Sequence, residues 1–119
     1  MNWRIEFAAD AERDFAMILD HLTESYLSFG ESPAEASRRA AQRLSEILED
    51  SHRIATAPFR GQSHDDLLPG LRHLALGKAT FWFTVDDDEG VIQILSVFFG
   101  GQDQQRRILI RLLERRHDN

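Results

Sequence analysis

Arginine carries nearly all the positive charge that could do chemistry in this sequence. Thirteen of the 14 basic residues are Arg, and Lys78 is the one lysine. A planar guanidinium suits fixed, bidentate contacts with carboxylate or phosphate better than an ammonium does, although a coding-composition bias gives the same excess. The charge is unevenly spread. Residues 103–119 hold Arg106, Arg107, Arg111, Arg115 and Arg116 against Asp103, Glu114 and Asp118, a net +2 that leaves −8 on the rest. Two readings of that run stand side by side: a surface that grips a target, or a solvated helix face whose cations favour the C-terminal end. Arg72, His73 and Lys78 lie close together in sequence. Arg72 has a structural alternative, pairing with Asp65, Asp66 or the Asp86–Asp88 run.

Other constellations are thinner. His64-Asp65-Asp66, joined by His73, lacks the second spaced ligand pair of a metal site, so no metal or cofactor is expected. Asp86-Asp87-Asp88-Glu89-Gly90 reads as an acidic hairpin turn. With no cysteine, disulfide, zinc-thiolate and thiol chemistry are excluded. There is no Gly-rich phosphate loop and no serine nucleophile elbow.

These residues must be positioned by one compact domain, residues 1–119, since the length suits a single core. Hydrophobic residues at 42% and charged residues at 29% make an ordinary globular balance. The net charge of −6 argues against direct binding of bare nucleic acid over a wide face. No secretory signal pattern and no apolar run of membrane-spanning length are read, so a cytoplasmic protein without membrane contact is expected.

Residues 2–8 alternate, with Trp3, Ile5 and Phe7 on one side, and predict a half-buried strand. Asp10 then offers a helix N-cap, with Glu12 and Asp14 favourable near the helix N-terminus. Ala11, Phe15, Ile18, Leu19, Leu22 and Tyr26 form one apolar stripe, and Gly30 is placed to end the helix. Ser32-Pro33-Ala34-Glu35 is a capping box with Pro at the first helical position. Ala36, Ala40, Leu44, Ile47, Leu48 and Ile54 or Ala55 follow as the buried face of a second helix, which Pro58 stops. The short link between the helices requires an antiparallel hairpin. Residues 59–70 read as loop. Three strands are predicted at 71–76, 79–85 and 91–99. The last is apolar on both faces and is placed centrally, beside the N-terminal strand. Asp103 can cap a final helix bearing Ile108, Leu109, Leu112 and Leu113. The order predicts an α+β fold: strand, helix hairpin, three-stranded antiparallel meander and C-terminal helix, with the helices on one face of the sheet.

This order and its landmarks resemble the RelE/ParE toxin superfamily of type II toxin–antitoxin systems. Phe7-Ala8-Ala9-Asp10-Ala11-Glu12-Arg13-Asp14 is similar to the family's opening into its first helix, and Ala57-Pro58-Phe59-Arg60-Gly61 to the end of its helical hairpin. Leu68-Pro69-Gly70-Leu71-Arg72-His73-Leu74 is similar to its "PGLR" entry to a strand, and Phe81-Trp82-Phe83-Thr84-Val85-Asp86 to its aromatic strand. Val91 through Val97 resembles the strand before its usual "H-x-x-R-D" ending. Here that place reads Phe98-Phe99-Gly100-Gly101-Gln102-Asp103, without the His, Arg and Tyr expected of RNA-cutting members. The resemblance therefore implies the ParE-like branch, which inhibits DNA gyrase without catalytic residues and is neutralised by a cognate, ParD-like antitoxin. On that reading Arg72, Lys78, Arg106, Arg107 and Arg111 are candidates for target binding. Phe15, Leu19, Leu22, Tyr26, Leu44, Leu48, Phe98 and Phe99 are candidates for antitoxin binding, with an antitoxin strand added along 71–76. The alternatives are a ribosome-dependent mRNA endonuclease built on Arg72, His73 and Lys78, or a degenerate, non-toxic antitoxin partner.

Overall fold

The computed structural model describes residues 2–100 and 104–117, with side chains at 106–114 of the last stretch. The chain begins with strand β1 (Arg4–Phe7), followed by helices α1 (Ala9–Ser28) and α2 (Pro33–Arg53). Two short 3-10 turns, Ile54–Thr56 and Pro58–Arg60, lead to the two-residue strand β2 (Gln62–Ser63). Strands β3 (Leu71–Leu76), β4 (Ala79–Asp86) and β5 (Val91–Phe99) form the meander, and α3 (Gln104–His117) closes the chain. No helix among the described residues is long and apolar enough to cross a membrane.

Five strands make one sheet in the order β1-β5-β4-β3-β2. β5 is central over its first half, pairing in parallel with β1 and antiparallel with β4. That is the place its two apolar faces require. β3 pairs antiparallel with β4, and β2 adds Gln62 opposite His73 and Ser63 opposite Arg72. This fifth strand was expected to be loop, because two residues are too short to show an alternation. The β4–β5 hairpin turns where expected: the Asp86 side chain accepts the backbone N–H groups of Asp88 and Glu89.

The helix boundaries follow their local chemistry. The Ser32 hydroxyl accepts the Glu35 N–H at 3.2 Å and Pro33 opens α2, while the Glu35 carboxylate of the predicted capping box is held by Arg38 instead. α1 starts earlier than expected, at Ala9 with Ala8 at the N-cap, so Asp10 lies inside the first turn. Gly30 takes φ +94°, a conformation that costs glycine little and ends the helix. α2 gives way to a 3-10 turn at Ile54, four residues before Pro58. The N-cap expected at Asp103 lies outside the described residues.

The two faces of the sheet are covered differently. The α1–α2 hairpin packs on one face, where Ala11, Phe15, Ile18, Leu22, Ala40, Ile47 and Ile54 meet Phe81, Phe83, Ile92, Ile94 and Val97. Burying each large apolar side chain there is worth on the order of 1.5–3 kcal/mol. Leu71, Trp82, Leu95, Phe98 and Ile108 form a second cluster on the other face. α3 therefore covers the face opposite the hairpin, which corrects the expectation that all helices share one side. A register irregularity falls between Trp82 and Phe83. It inserts Leu95 as an extra residue, so Ile94 and Val97 share the hairpin face although they are three apart.

Candidate functional site

β1 ends at Phe7, where the chain turns into α1 and Ala8 donates its N–H to the Ile94 carbonyl at 2.9 Å. β5 runs on to Phe99, so its upper half has no strand on that side in the sheet order. Asp14, in the second turn of α1, fills the gap. Its carboxylate, on a residue only 5% exposed, accepts the Val97 N–H at 2.9 Å. It also accepts two bonds from the Arg111 guanidinium, at 2.7 and 2.8 Å. Arg111 donates further to the Ser96 hydroxyl at 2.7 Å and lies over the Phe98 ring at 5.1 Å. The paired carboxylate holds the Arg111 pKa above its ordinary value. Three elements meet here: α1 supplies the anion, α3 the cation, and β5 the edge donor between them. Beside this junction Met17, His21, Phe99 and Arg107 line a cleft of about 260 Å³. Asp14 sits three residues after Ala11 and four before Ile18, on the buried stripe of α1. A carboxylate at that position signals a paired buried charge, but its nearness to the helix start drew the reading toward the helix dipole.

The cations proposed for RNA cutting are not gathered. Arg72 stands opposite Phe83, and His73 stands opposite Trp82. Neighbouring residues of a strand point to opposite faces, so the two side chains diverge. Arg72 donates to the carbonyls of Phe59 at 3.1 Å and Gly61 at 2.8 Å, with its guanidinium 5.2 Å from the Phe59 ring centre. It fastens the segment after α2 to the sheet rather than pairing with an Asp. Lys78 is exposed in the β3–β4 turn.

His73 has a different neighbour. Its Nδ1 lies 2.6 Å from Nε2 of His64, the rings are stacked 4.8 Å apart, and each lies 4.8 Å from the Trp82 ring. His64 is buried. The His73 pKa is pushed below the ordinary imidazole value, first by burial and then by the neighbouring His64. Asp65 turns away from the pair: it accepts the Gly70 N–H at 2.8 Å and the Ser63 hydroxyl at 3.0 Å, which lowers its own pKa. No cluster of three or more His, Cys, Asp or Glu suited to a metal ion occurs among the described residues.

No protein-family model matches the sequence, and neither does any curated protein. Solved structures do match the fold. A chain of the chromosomal ParDE TA system from P. aeruginosa superposes with a TM-score of 0.62 at 20% identity, covering 84% of this chain and 98% of that one. The fold is that of the RelE/ParE toxins. A chain of the toxin–antitoxin complex RelBE2 from Mycobacterium tuberculosis superposes with a TM-score of 0.58 at 18% identity, covering 83% of this chain and 99% of that one.

Within the RelE/ParE fold, most residues expected to meet an antitoxin face inward. Phe15 and Leu22 are buried, and Leu19, Tyr26, Leu44 and Leu48 pack against the same core. Leu19, Tyr26, Leu44 and Leu48 are only half-buried and keep part of their surface toward solvent. Phe98 is buried under α3, and Phe99 is half-buried on the hairpin side. What the hairpin leaves exposed is Met17, Leu27 and, at its tip, Phe29. The strand edge at 71–76 is also narrower than expected, since β2 already pairs with Arg72 and His73. On α3, Arg106 and Arg107 are exposed, whereas the Arg111 guanidinium is held by Asp14. The side chains of Arg115 and Arg116 lie outside the described residues.

Proposed function

We propose that this chain is the toxin of a bacterial type II toxin–antitoxin pair, of the ParE-like kind. It would bind DNA gyrase without catalysing a reaction of its own and be silenced by a cognate antitoxin. The observation that carries the choice is the dispersal of Arg72, His73 and Lys78. Cutting RNA through its 2′-hydroxyl needs a base, an acid and a cation beside one phosphate. Here the arginine is engaged by backbone carbonyls on one face, the imidazole by a second imidazole on the other, and the lysine stands in a turn. The ParDE and RelBE2 superpositions support the toxin fold that both branches share. Arg106, Arg107 and Lys78 are exposed and are the cations offered for target contact. An antitoxin would meet the exposed rim of the hairpin and the part of β3 beyond its pairing with β2.

Induced expression without an antitoxin, followed by viable count and cell shape, tests this reading. Loss of viability with long filaments is the expected outcome, because blocked replication stops division while growth continues. Rapid arrest with cleaved mRNA, abolished by Arg72→Ala, would overturn it in favour of an endonuclease. Undisturbed growth with soluble protein would leave a non-toxic antitoxin partner.

A further inference from the structure

Residues 61–70 run along the outer edge of β3 as a flap pinned at both ends. At one end the Gly61 carbonyl accepts the Arg72 guanidinium at 2.8 Å, and at the other the Gly70 carbonyl accepts the Val85 N–H at 3.1 Å. His64 is the hub between them. Its N–H donates to the Leu71 carbonyl at 2.8 Å, and its carbonyl accepts the Leu67 and Leu68 N–H groups at 3.0 and 3.3 Å. Its buried side chain is the diagonal cross-strand neighbour of His73, on the face that also carries Leu71. Leu67 and Leu68 pack against the cluster that holds Leu71 and Trp82. The flap thus covers apolar surface while an imidazole–imidazole bond fixes its middle.

That bond has room for one hydrogen between its nitrogens. With Nδ1 of His73 2.6 Å from Nε2 of His64, one ring donates and the other accepts. A first added proton places a cation in a half-buried site, and a second makes both nitrogens donors with no acceptor. The surroundings offer no compensation. On the flap, the Asp65 carboxylate is turned to the Gly70 N–H and the Ser63 hydroxyl, and Asp66 is exposed. On β3, Arg72 points to the other face; β4 brings Trp82, with Ser96 of β5 opposite it. α3 brings Ile108 and Leu112, and its Arg111 is bound to Asp14. No carboxylate joins the two imidazoles in a cluster among the described residues.

We propose that the His64–His73 pair is a proton-operated latch, which holds the flap shut while the two rings share one hydrogen and lets residues 62–69 lift from β3 when they are protonated. Acid would then strip Arg72 and His73 of their β2 partners, leave β3 unpaired along its outer edge and uncover the surface beneath Leu67 and Leu68. The sign follows from proton linkage. The open flap binds more protons than the closed one, so opening grows by up to about tenfold per pH unit for each proton taken up. It begins as the pH drops through about 6.5, the ordinary imidazole value. The Asp65 bonds outlast this window, because the Gly70 N–H and the Ser63 hydroxyl hold that carboxylate below its ordinary value. The pins at Gly61 and Gly70 do not titrate in it, so the change is confined to the flap. The device is independent of the gyrase reading.

Amide hydrogen exchange of the full chain, followed residue by residue from about pH 7.5 to about pH 5, tests the latch. Protection factors, which remove the intrinsic pH dependence of exchange, are expected to fall for His64, Leu67 and Leu68 by about tenfold per pH unit below about pH 6.5. Those of α1 and β5 should hold. His64→Gln and His73→Gln each supply an amide that hydrogen-bonds without titrating, and each should remove the pH dependence in the flap. If one of them fails to fold by circular dichroism, the wild-type profile and the other variant decide. Gly61→Ala should show at neutral pH the weak protection that the wild type shows in acid. Unchanged protection of the three flap amides down to about pH 5 would overturn the proposal. So would an equal loss in α1 and β5, which marks global unfolding, or the same pH dependence in both glutamine variants.

Discussion

Asp14 carries more of the architecture than any other charged residue described. It closes the end of a strand edge, receives a bidentate guanidinium and ties the first helix to the last. Removing one member of a buried pair leaves the other charge desolvated and alone, which typically costs 3–5 kcal/mol. Because Arg111 keeps some contact with solvent, Asp14→Ala should cost about 3 kcal/mol, read as a lowered urea midpoint. An unchanged midpoint would mean that α3 does not depend on this junction. The histidine pair supplies a second test. The His73 pKa is lowered in the fold, so the folded chain resists a proton that the unfolded chain accepts near the ordinary imidazole value. Stability should therefore be full above about pH 6.5 and fall as the pH drops through it toward the folded value. Urea midpoints at several pH values check this, and His64→Gln should flatten the slope by removing one of the two causes. A midpoint constant between about pH 7 and about pH 5 would rule the effect out, the carboxylates titrating mostly below that window.

At the scale of elements, a local signal was legible wherever a residue type acts on its own neighbours. Ser32 with Glu35 set the start of α2, Gly30 the end of α1, and the alternation in β4 its two faces. Ser32→Ala should accordingly cost about 1 kcal/mol, measured by the same denaturation, with the helix content barely changed. What could not be read depends on residues far apart. The two-residue β2 exists because Gly61 lets the chain run against β3: a Cβ there would come within 2.5 Å of the His73 carbonyl oxygen. Gly61→Ala should therefore separate β2 from β3 and destabilise the fold, whereas a Cβ at Gly30 meets no atom within 4 Å and would suffer only its backbone strain. The inserted Leu95 is one apolar residue in an apolar strand, and nothing in its type announces a bulge. The side of the sheet taken by α3 was illegible for a similar reason. Ile108 and Leu112 turn inward and Leu109 and Leu113 outward, and the four are interchangeable by type. Arg111 looked like its solvent-facing neighbours until Asp14 fixed its direction.

At the scale of the molecule, the distribution of charge over the sheet separates the functional readings. The face opposite the hairpin is divided: α3 covers the end that holds Trp82, Leu95 and Phe98, and the other end is bare and polar. That bare end places Glu6, Asp86 and Glu89 with Arg4, beside Thr84 and Gln93, and Arg4 is already paired with Glu6. Asp87 and Asp88 lie just beyond it. A phosphate backbone brought against this surface would meet carboxylates, and the net charge of −6 opposes its approach from a distance. The purified chain is therefore expected to leave a labelled single-stranded RNA and a DNA duplex unshifted in a native gel at low salt, where electrostatic attraction is strongest. A salt-sensitive shift of either would show that the cations of α3 outweigh the acidic sheet. In that case Arg106→Glu with Arg107→Glu should abolish the shift, and the proposed binding to gyrase would give way to binding of nucleic acid itself.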